Sequence, residues 1–366
     1  MSETVLVTGG CGFIGSCFVL QQMKQHPDIH LINLDKLTYA GNPDNVKEVT
    51  GDPRYTFVQA DVADRPAVEA VFAQYHPTLV VHFAAESHVD RSIDGPDVFV
   101  RTNVLGTQVM LDVARKQWQQ DACMDTARFL YISTDEVYGD LPLASTEKFT
   151  EHSPIKPSSP YSVSKAAGDL MAQAYHRTYG MPTLITRSSN NYGPRQYPEK
   201  LIPLTIKKAL AGEPIPVYGD GLNVRDWLYV EDNCRAIDLV LRKGAPGTIY
   251  NVGGNNELSN IDLVHLLLHA LAAQTGKPEE DYTKLITFVP DRPGHDRRYA
   301  VNVEKTKRKF EWSPTADSNE AMRKTIEWYC EDSQKGRNIE YLHALPLIEG
   351  TSNGVQLRGE SHDCQE

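Results

Sequence analysis

Tyr161 and Lys165 stand four residues apart, just after Ser159-Pro160, a pair that reads as a helix start with Ser as N-cap and Pro at the first helical position. Four residues is about one helical turn, so phenol and ammonium share a face. An ammonium beside a phenol favours the phenolate, which predicts a tyrosine pKa drawn down from about 10 and a base for an alcohol proton near neutral pH. Upstream, the apolar run that ends at Ile132-Ser133 leads into Thr134-Asp135-Glu136. Hydride and proton exchange with an alcohol needs only the tyrosine. An added Asp and Glu supply an acid and a base for a second step, loss of water, provided their surroundings keep one protonated and the other ionised. Taken singly, Tyr-x-x-x-Lys occurs by chance and an Asp-Glu pair is commonly a solvated loop or a cap. Their company in one chain is what carries the chemistry.

A third cluster supplies the oxidant's seat. Gly9, Gly12 and Gly15 follow the apolar strand Val5 to Thr8 and open a helix, where main-chain N–H groups and the helix dipole can receive a pyrophosphate. Asp35 ends the second apolar strand about 20 residues on, where a carboxylate accepts ribose hydroxyls and repels a 2′-phosphate, so NAD is expected over NADP. Asp61-Val62 and Ala84-Ala85 end the third and fourth strands.

Elements that would position these groups alternate along the first half. Short Val, Ile and Leu runs (Val5 to Val7, Leu31 to Leu34, Phe57-Val58, Leu79 to Val81, Phe129 to Ile132, Leu184-Ile185) are separated by helix-period segments near 13–25, 65–75, 101–118 and 161–179. That order predicts an α/β fold, a Rossmann-type doubly wound parallel sheet whose strands are buried on both faces. From about residue 190 the chain becomes turn-rich, with helical stretches near 200–211, 261–275 and 318–331. We expect a cofactor domain over 1–189, a smaller α/β substrate lobe over 190–349 that returns strands to the main sheet, and a flexible tail over 350–366.

The chain has 366 residues, 40% hydrophobic and 23% charged, and a net charge of −11. That composition fits a globular protein and argues against a binder of nucleic-acid backbones, which needs a clustered basic face. The six cysteines show no C-x-x-C and no regular spacing, and His82, His88 and His295 lack metal-ligand spacing, so free thiols and no metal are expected. With no signal peptide and no apolar run of membrane length, a cytoplasmic location is expected.

The G-x-x-G-x-x-G spacing resembles the short-chain and extended short-chain dehydrogenases. Residues 132–139, Ile132 to Gly139, resemble the nucleotide-sugar 4,6-dehydratases within that family, as do His82 to Ser92, Ser188 to Pro194, Tyr197 to Pro203, Pro216 to Val230 and Asp291 to Tyr299. The likeness runs from about residue 4 to 331. It implies a tightly held, regenerated NAD, dTDP-glucose as substrate and a homodimer through the helices near 101–118 and 161–179. On the cofactor side it implies Gly9, Gly12, Phe13, Ile14, Gly15, Asp35, Lys36, Leu37, Thr38, Asp61, Val62, Ala84, Ala85, Thr102, Tyr161, Lys165 and Asn191, with Asp61 and Val62 bordering the adenine. On the substrate side it implies Ser87, Thr134, Asn190, Lys200, Leu201, Pro216, Val217, Tyr218, Arg225, Asn260, Asp291, Arg292, Pro293, Gly294 and His295. Arg225 and Arg292 can grip a diphosphate bidentately and Tyr218 can stack on a base. The catalytic set implied is Thr134 on the C4 oxygen, Asp135 as acid, Glu136 as base at C5, Tyr161 as base at the C4 hydroxyl, and Lys165. Cys11 stands where the family usually has alanine, and a thiol beside the pyrophosphate marks the loop as oxidation-sensitive. The residues leave open thymidine or uridine as the nucleotide. Readings that compete are a 4-epimerase or sugar decarboxylase, which would lack the Asp-Glu pair, and a non-catalytic NAD sensor, which would not need to retain Tyr161 or Glu136.

Overall fold

The computed structural model describes residues 3–334. Its strands are β1 (Glu3–Thr8), β2 (Ile29–Asp35), β3 (Tyr55–Gln59), β4 (Leu79–His82), β5 (Arg128–Thr134), β6 (Thr183–Ser188), β7 (Asn190–Tyr192), β8 (Ile215–Tyr218), β9 (Val224–Tyr229), β10 (Thr248–Val252), β11 (Glu257–Ser259) and β12 (Ile286–Val289). Seven of them form one sheet in the order β10-β6-β5-β4-β1-β2-β3, parallel throughout. The chain order reverses between β1 and β4, which leaves a crevice at their C-terminal ends, the place where such sheets bind ligands.

The helices are α1 (Phe13–Gln25), α2 (Arg65–Tyr75), the short α3 (Val89–Asp94), the single turn α4 (Asp97–Phe99), α5 (Thr107–Gln120), α6 (Pro160–Tyr179), α7 (Leu201–Ala211), α8 (Val230–Lys243), α9 (Asn260–Thr275), the turn α10 (Glu280–Thr283), α11 (Glu304–Phe310) and α12 (Ser318–Gln334). Alternation along β1 shows why its strand must be apolar throughout. Val5 and Val7 pack with Phe18 of α1 and Ile237 of α8, whereas Leu6 packs with Phe72 of α2 and Leu111 of α5 on the other face. The first of these cores runs on through Ile206 of α7, Leu267 of α9 and Ile326 of α12, so the C-terminal half is built onto the same apolar mass.

Beyond residue 189 one strand, β10, returns to the main sheet beside β6, and α8 covers the sheet face next to α1. The other strands form two small sheets, β11-β9-β7 and β12-β8. α8 escapes the sequence reading although Val230, Cys234, Ile237 and Leu241 mark its buried face at helical spacing. The helix expected near 101–118 also differs: Val100 to Gly106 form a wider π-helical turn before α5. Within it the Asn103 amide bonds to the Glu86 N–H, the Glu86 carbonyl and the Ser164 hydroxyl, tying that turn to the loop after β4 and to α6. The expected tail lies outside the described residues.

Candidate active site

The crevice is cut to receive a dinucleotide. Gly9 has φ +73, and a Cβ there would stand 2.8 Å from the Ala84 nitrogen; a Cβ on Gly15 would stand 2.2 Å from the Gly9 oxygen. Turn, helix and the loop after β4 therefore meet through bare backbone, and the start of α1 faces the cleft. His82 holds this crossing from beneath, its Nδ1 2.7 Å from Thr8 Oγ1 and its Nε2 3.1 Å from Thr107 Oγ1. Burial, with Lys165 nearby, lowers its pKa to about 3, so the ring is neutral.

At the end of β2, Asp35 accepts from the Cys11 N–H at 2.9 Å and the Leu37 N–H at 2.8 Å. A carboxylate has about four acceptor sites, so capacity remains for ribose hydroxyls. The adjacent cation is occupied, since Lys36 pairs with Asp61 at 2.9 Å. Nothing in this corner is arranged for a 2′-phosphate, and the residues fit NAD. Gly9, Gly12, Phe13, Ile14, Gly15, Asp35, Lys36, Thr38, Asp61, Val62, Ala84, Ala85, Thr102, Tyr161, Lys165 and Asn191 all line the cleft. Leu37 does not: with φ +57 its side chain turns to pack on the core. Cys11 is corrected as well. It is fully buried, receives a hydrogen bond from Asn33, and burial with Asp35 beside it pushes its pKa up to about 12, so the reactive thiolate is suppressed.

The Asp135 and Glu136 carboxyls stand where β5 ends. Thr134 caps a turn of 3-10 helix over Asp135–Tyr138, its hydroxyl accepting from the Glu136 N–H at 3.3 Å and donating to Asp135 Oδ1 at 3.3 Å. Burial, then the carboxylates of Glu136 and Asp226, raise the Asp135 pKa well above the carboxylate range, and its buried Oδ2 has no hydrogen-bond partner. Glu136 is also raised by burial, but Arg292, Lys200 and Arg225 oppose that rise. Burial raises both adjacent carboxyls; two carboxylates add to the rise at Asp135 against Arg225, whereas three cations oppose it at Glu136 against Asp296, so Glu136 is the more readily ionised of the pair.

α6 begins with a reciprocal Ser159–Ser162 capping box that fixes where its first turn points. Tyr161 and Lys165 do share the face toward the cleft. Lys165 Nζ donates to the Ile132 carbonyl at 2.6 Å and lies 4.5 Å from the Tyr131 ring centre. Burial lowers its pKa to about 7, with Asp169 opposing. The expected depression of the Tyr161 pKa is not found. Burial raises it strongly, Glu136, Tyr131 and Asp135 add to the rise, and the Thr134 hydroxyl opposes it. Loss of water and the carboxyls at the end of β5 set this pKa, and the Lys165 ammonium, turned to the Ile132 carbonyl, does not draw it down.

A family model described as GDP-mannose 4,6 dehydratase matches residues 6–325. The chain belongs to that family. A dTDP-glucose 4,6-dehydratase of Neisseria gonorrhoeae is 49% identical over 341 residues, covering 92% of this chain and 98% of the relative. dTDP-glucose 4,6-dehydratase 1 of Escherichia coli strain K12 is 48% identical over 361 residues, covering 96% and 99%. Among solved structures, the dTDP-glucose 4,6-dehydratase of Bacillus anthracis strain Ames in complex with NAD superposes with a TM-score of 0.79 at 44% identity, covering 91% of this chain and 98% of that one.

The substrate-side residues of this family member divide into two groups. Ser87, Thr134, Asn190 and Lys200 line the cleft, with Lys200 Nζ donating to the Ser87 carbonyl at 2.6 Å. Leu201, Pro216, Val217, Tyr218, Arg225, Asn260 and Asp291 to His295 do not line it. Val217 is a core residue, only 1% exposed. Arg225 is buried over the Tyr299 ring and donates to the carbonyls of Val224 and Asp296, so the expected bidentate grip on a diphosphate is already committed to main chain. Arg292 keeps that capacity: Nη1 donates to Asp90 at 3.1 Å while its buried Nε has no hydrogen-bond partner. Tyr218 donates to the other Asp90 oxygen at 3.1 Å and meets His295 edge-on, and His295 pairs with Asp291 at 2.6 Å. Asp90, Asp226 and Tyr299, which the sequence does not single out, meet the site at Arg292, Asp135 and Glu136; they lie within His82 to Ser92, Pro216 to Val230 and Asp291 to Tyr299, yet nothing in their spacing shows what they face. Among the described residues no group of His, Cys, Asp and Glu could hold a metal ion.

Proposed function

We propose that this chain converts dTDP-glucose to dTDP-4-dehydro-6-deoxy-glucose and water, as the names of its relatives say of them. The observation that carries this reading is the pair of buried carboxyls, Asp135 and Glu136, that line the cleft where β5 ends, with Asp135 Oδ2 unpartnered and Glu136 set among Arg292, Lys200 and Arg225, a pair that a plain dehydrogenase or an epimerase would not need. NAD, when bound, would supply a hydride acceptor for C4 of the glucose, a hydride donor for C6 in its reduced form and a cationic ring beside the sugar.

Tyr161 takes the C4 hydroxyl proton once its phenol is ionised, a state that burial opposes and that the cationic ring of bound NAD would favour. Thr134 holds the C4 oxygen, and Lys165, its pKa about 7, adds positive charge when protonated. The resulting ketone acidifies the C5 hydrogen, and Glu136 removes it as a proton. Asp135, held protonated, delivers its proton to the C6 hydroxyl, which leaves as water as the C5–C6 double bond forms. Hydride addition at C6 and a proton at C5 complete the 6-deoxy ketone. Residues 1–189, with α8 and β10, hold the cofactor, and most of the remainder forms the sugar-nucleotide wall, where Arg292 grips the diphosphate and Tyr218 stacks on the base.

The five described cysteines are free thiols, which supports a reducing cytoplasm. Among the described residues no helix is long and apolar enough to cross a membrane. Exposed Val100, Leu105, Val163 and Leu170 on the π-turn and α6 support a homodimer through that face. The decisive experiment incubates the purified protein with dTDP-glucose, without added NAD, and follows the 4-keto-6-deoxy product. Formation of a C4 epimer instead, or no conversion even with NAD supplied, would sink the assignment. UDP-glucose run in parallel tests the nucleotide.

A further inference from the structure

Polar side chains gathered around the buried Glu199 carboxylate join two segments that line the cleft, without taking part in the chemistry above. The loop after β2 lines one wall through Lys36, Thr38, Ala40 and Gly41; the segment before α7 lines the other through Gln196, Tyr197, Glu199 and Lys200. Glu199, its side chain only 2% exposed, receives the Tyr39 hydroxyl at Oε1 at 3.0 Å. Its buried Oε2 accepts no hydrogen bond and is held by charge alone, 3.4 Å from Arg91 Nε and 3.8 Å from His88 Nε2. The Arg91 guanidinium closes the triangle by lying 3.8 Å from the centre of the Tyr39 ring, and Tyr197 meets that ring edge-on.

Three separate stretches therefore meet: the adenosine-side loop, α3 and the segment before α7. A buried carboxylate that holds the Tyr39 hydroxyl, with the partly exposed Arg91 guanidinium pairing with it and stacking on the same tyrosine ring, ties these stretches together more firmly than the ion pair alone would. An enzyme that exchanges its cofactor every turnover would have to open such a junction each time. One that regenerates NAD in place has no such need, and the inference rests on that reading.

We propose that Tyr39, Arg91 and Glu199 form a latch across the cofactor cleft that keeps NAD on the protein between turnovers. Tyr39 and Arg91 are retaining residues in this scheme and touch no reacting atom. The test uses Tyr39→Phe, Arg91→Met and the double variant, each purified with its resident cofactor. NAD release is measured directly, by trapping the dissociated cofactor and by the NAD content that survives gel filtration. Loss of the hydroxyl bond and the stacked ion pair should speed release about tenfold in the double variant. Activity lost on gel filtration should return when NAD is added. A double variant that releases NAD at the parent's rate overturns the latch, as does one whose activity stays low in saturating NAD while release is unchanged. Tyr39→Phe keeps the ring and its packing, so faster release in that variant alone cannot come from misfolding. Parent protein that itself emerges from gel filtration without NAD would instead overturn the resident-cofactor reading and the latch with it.

Discussion

Asp135 and Glu136 are neighbours in the chain, yet one faces the carboxylates of Glu136 and Asp226 while the other faces Arg292, Lys200 and Arg225. Glu136→Gln keeps shape and hydrogen bonding but cannot accept the C5 proton. Oxidation at C4 should proceed, reduced cofactor should accumulate, and turnover should fall by about 100-fold or more. Asp135→Asn should slow loss of the C6 hydroxyl and leave exchange of the C5 hydrogen with deuterated solvent comparatively intact. Equal exchange in the two variants would show that the roles are wrongly divided. His82 gives a second residue-scale expectation. Its folded pKa of about 3 lies below the unfolded value of about 6.5, so between those limits the unfolded chain binds the extra proton. Stability from the neutral ring is thus fully present above about pH 6.5 and is lost as pH falls toward 3. In His82→Gln the dependence of unfolding free energy on pH should flatten across that window; urea titrations that give parallel profiles would contradict a neutral buried ring.

α6 shows how an element places chemistry. Its capping box sets the first turn, so Tyr161 follows the cap by two residues and Lys165 by six. Ser159→Ala removes the acceptor for the Ser162 N–H and should cost about 1 kcal/mol, seen as a lower denaturation midpoint. Turnover should fall as well, because the turn carrying Tyr161 loses its anchor. An unchanged midpoint would show that packing against β5 and β6 suffices to fix the helix start. The Ser-Pro-Tyr signature made this helix legible in advance, and its Lys165 at one-turn spacing. What spacing could not supply was the Tyr161 pKa, because the carboxylates and the burial that raise it come from β5 and its turn. α8 was missed for a different reason: its apolar spacing is helical, but it directly follows β9 with no loop between, so no break in the chain announces it.

For the whole molecule, assembly is the open quantity that the surface can address. Val163 and Leu170 stand seven residues apart on α6, each about half exposed, beside Val100 and Leu105 on the packed π-turn. Packing against a second copy about a two-fold axis would cover this face. Leu170→Glu should shift the protein from dimer to monomer in sedimentation velocity, and a parent that sediments as a monomer would refute the dimer. Cofactor retention is the second whole-molecule test, since Asp35→Ala should weaken NAD binding and relax the preference against a 2′-phosphate. Release of mainly NADP from the denatured parent would overturn the choice of cofactor.

Periodicity and local spacing were enough for the doubly wound sheet, the glycine turn after β1 and the shared helix face of Tyr161 and Lys165, because each is a feature of one short stretch whose geometry its own residues dictate, whereas the roles expected of Thr134, Asp135 and Glu136 came from the resemblance. Val5, Leu6 and Val7 must be buried on both faces wherever they sit, and Tyr161 and Lys165 share a helix face by spacing alone. Tertiary structure decided everything that depends on who faces whom. It buried Cys11 and silenced its thiol, turned Leu37 into the core, spent the Arg225 donors on carbonyls, and set Asp226 against Asp135. It also joined Tyr39, Arg91 and Glu199, residues far apart in the chain. Electrostatic character and hydrogen-bond commitment are set by neighbours through space and by exclusion of water, and neither is written in the order of the residues.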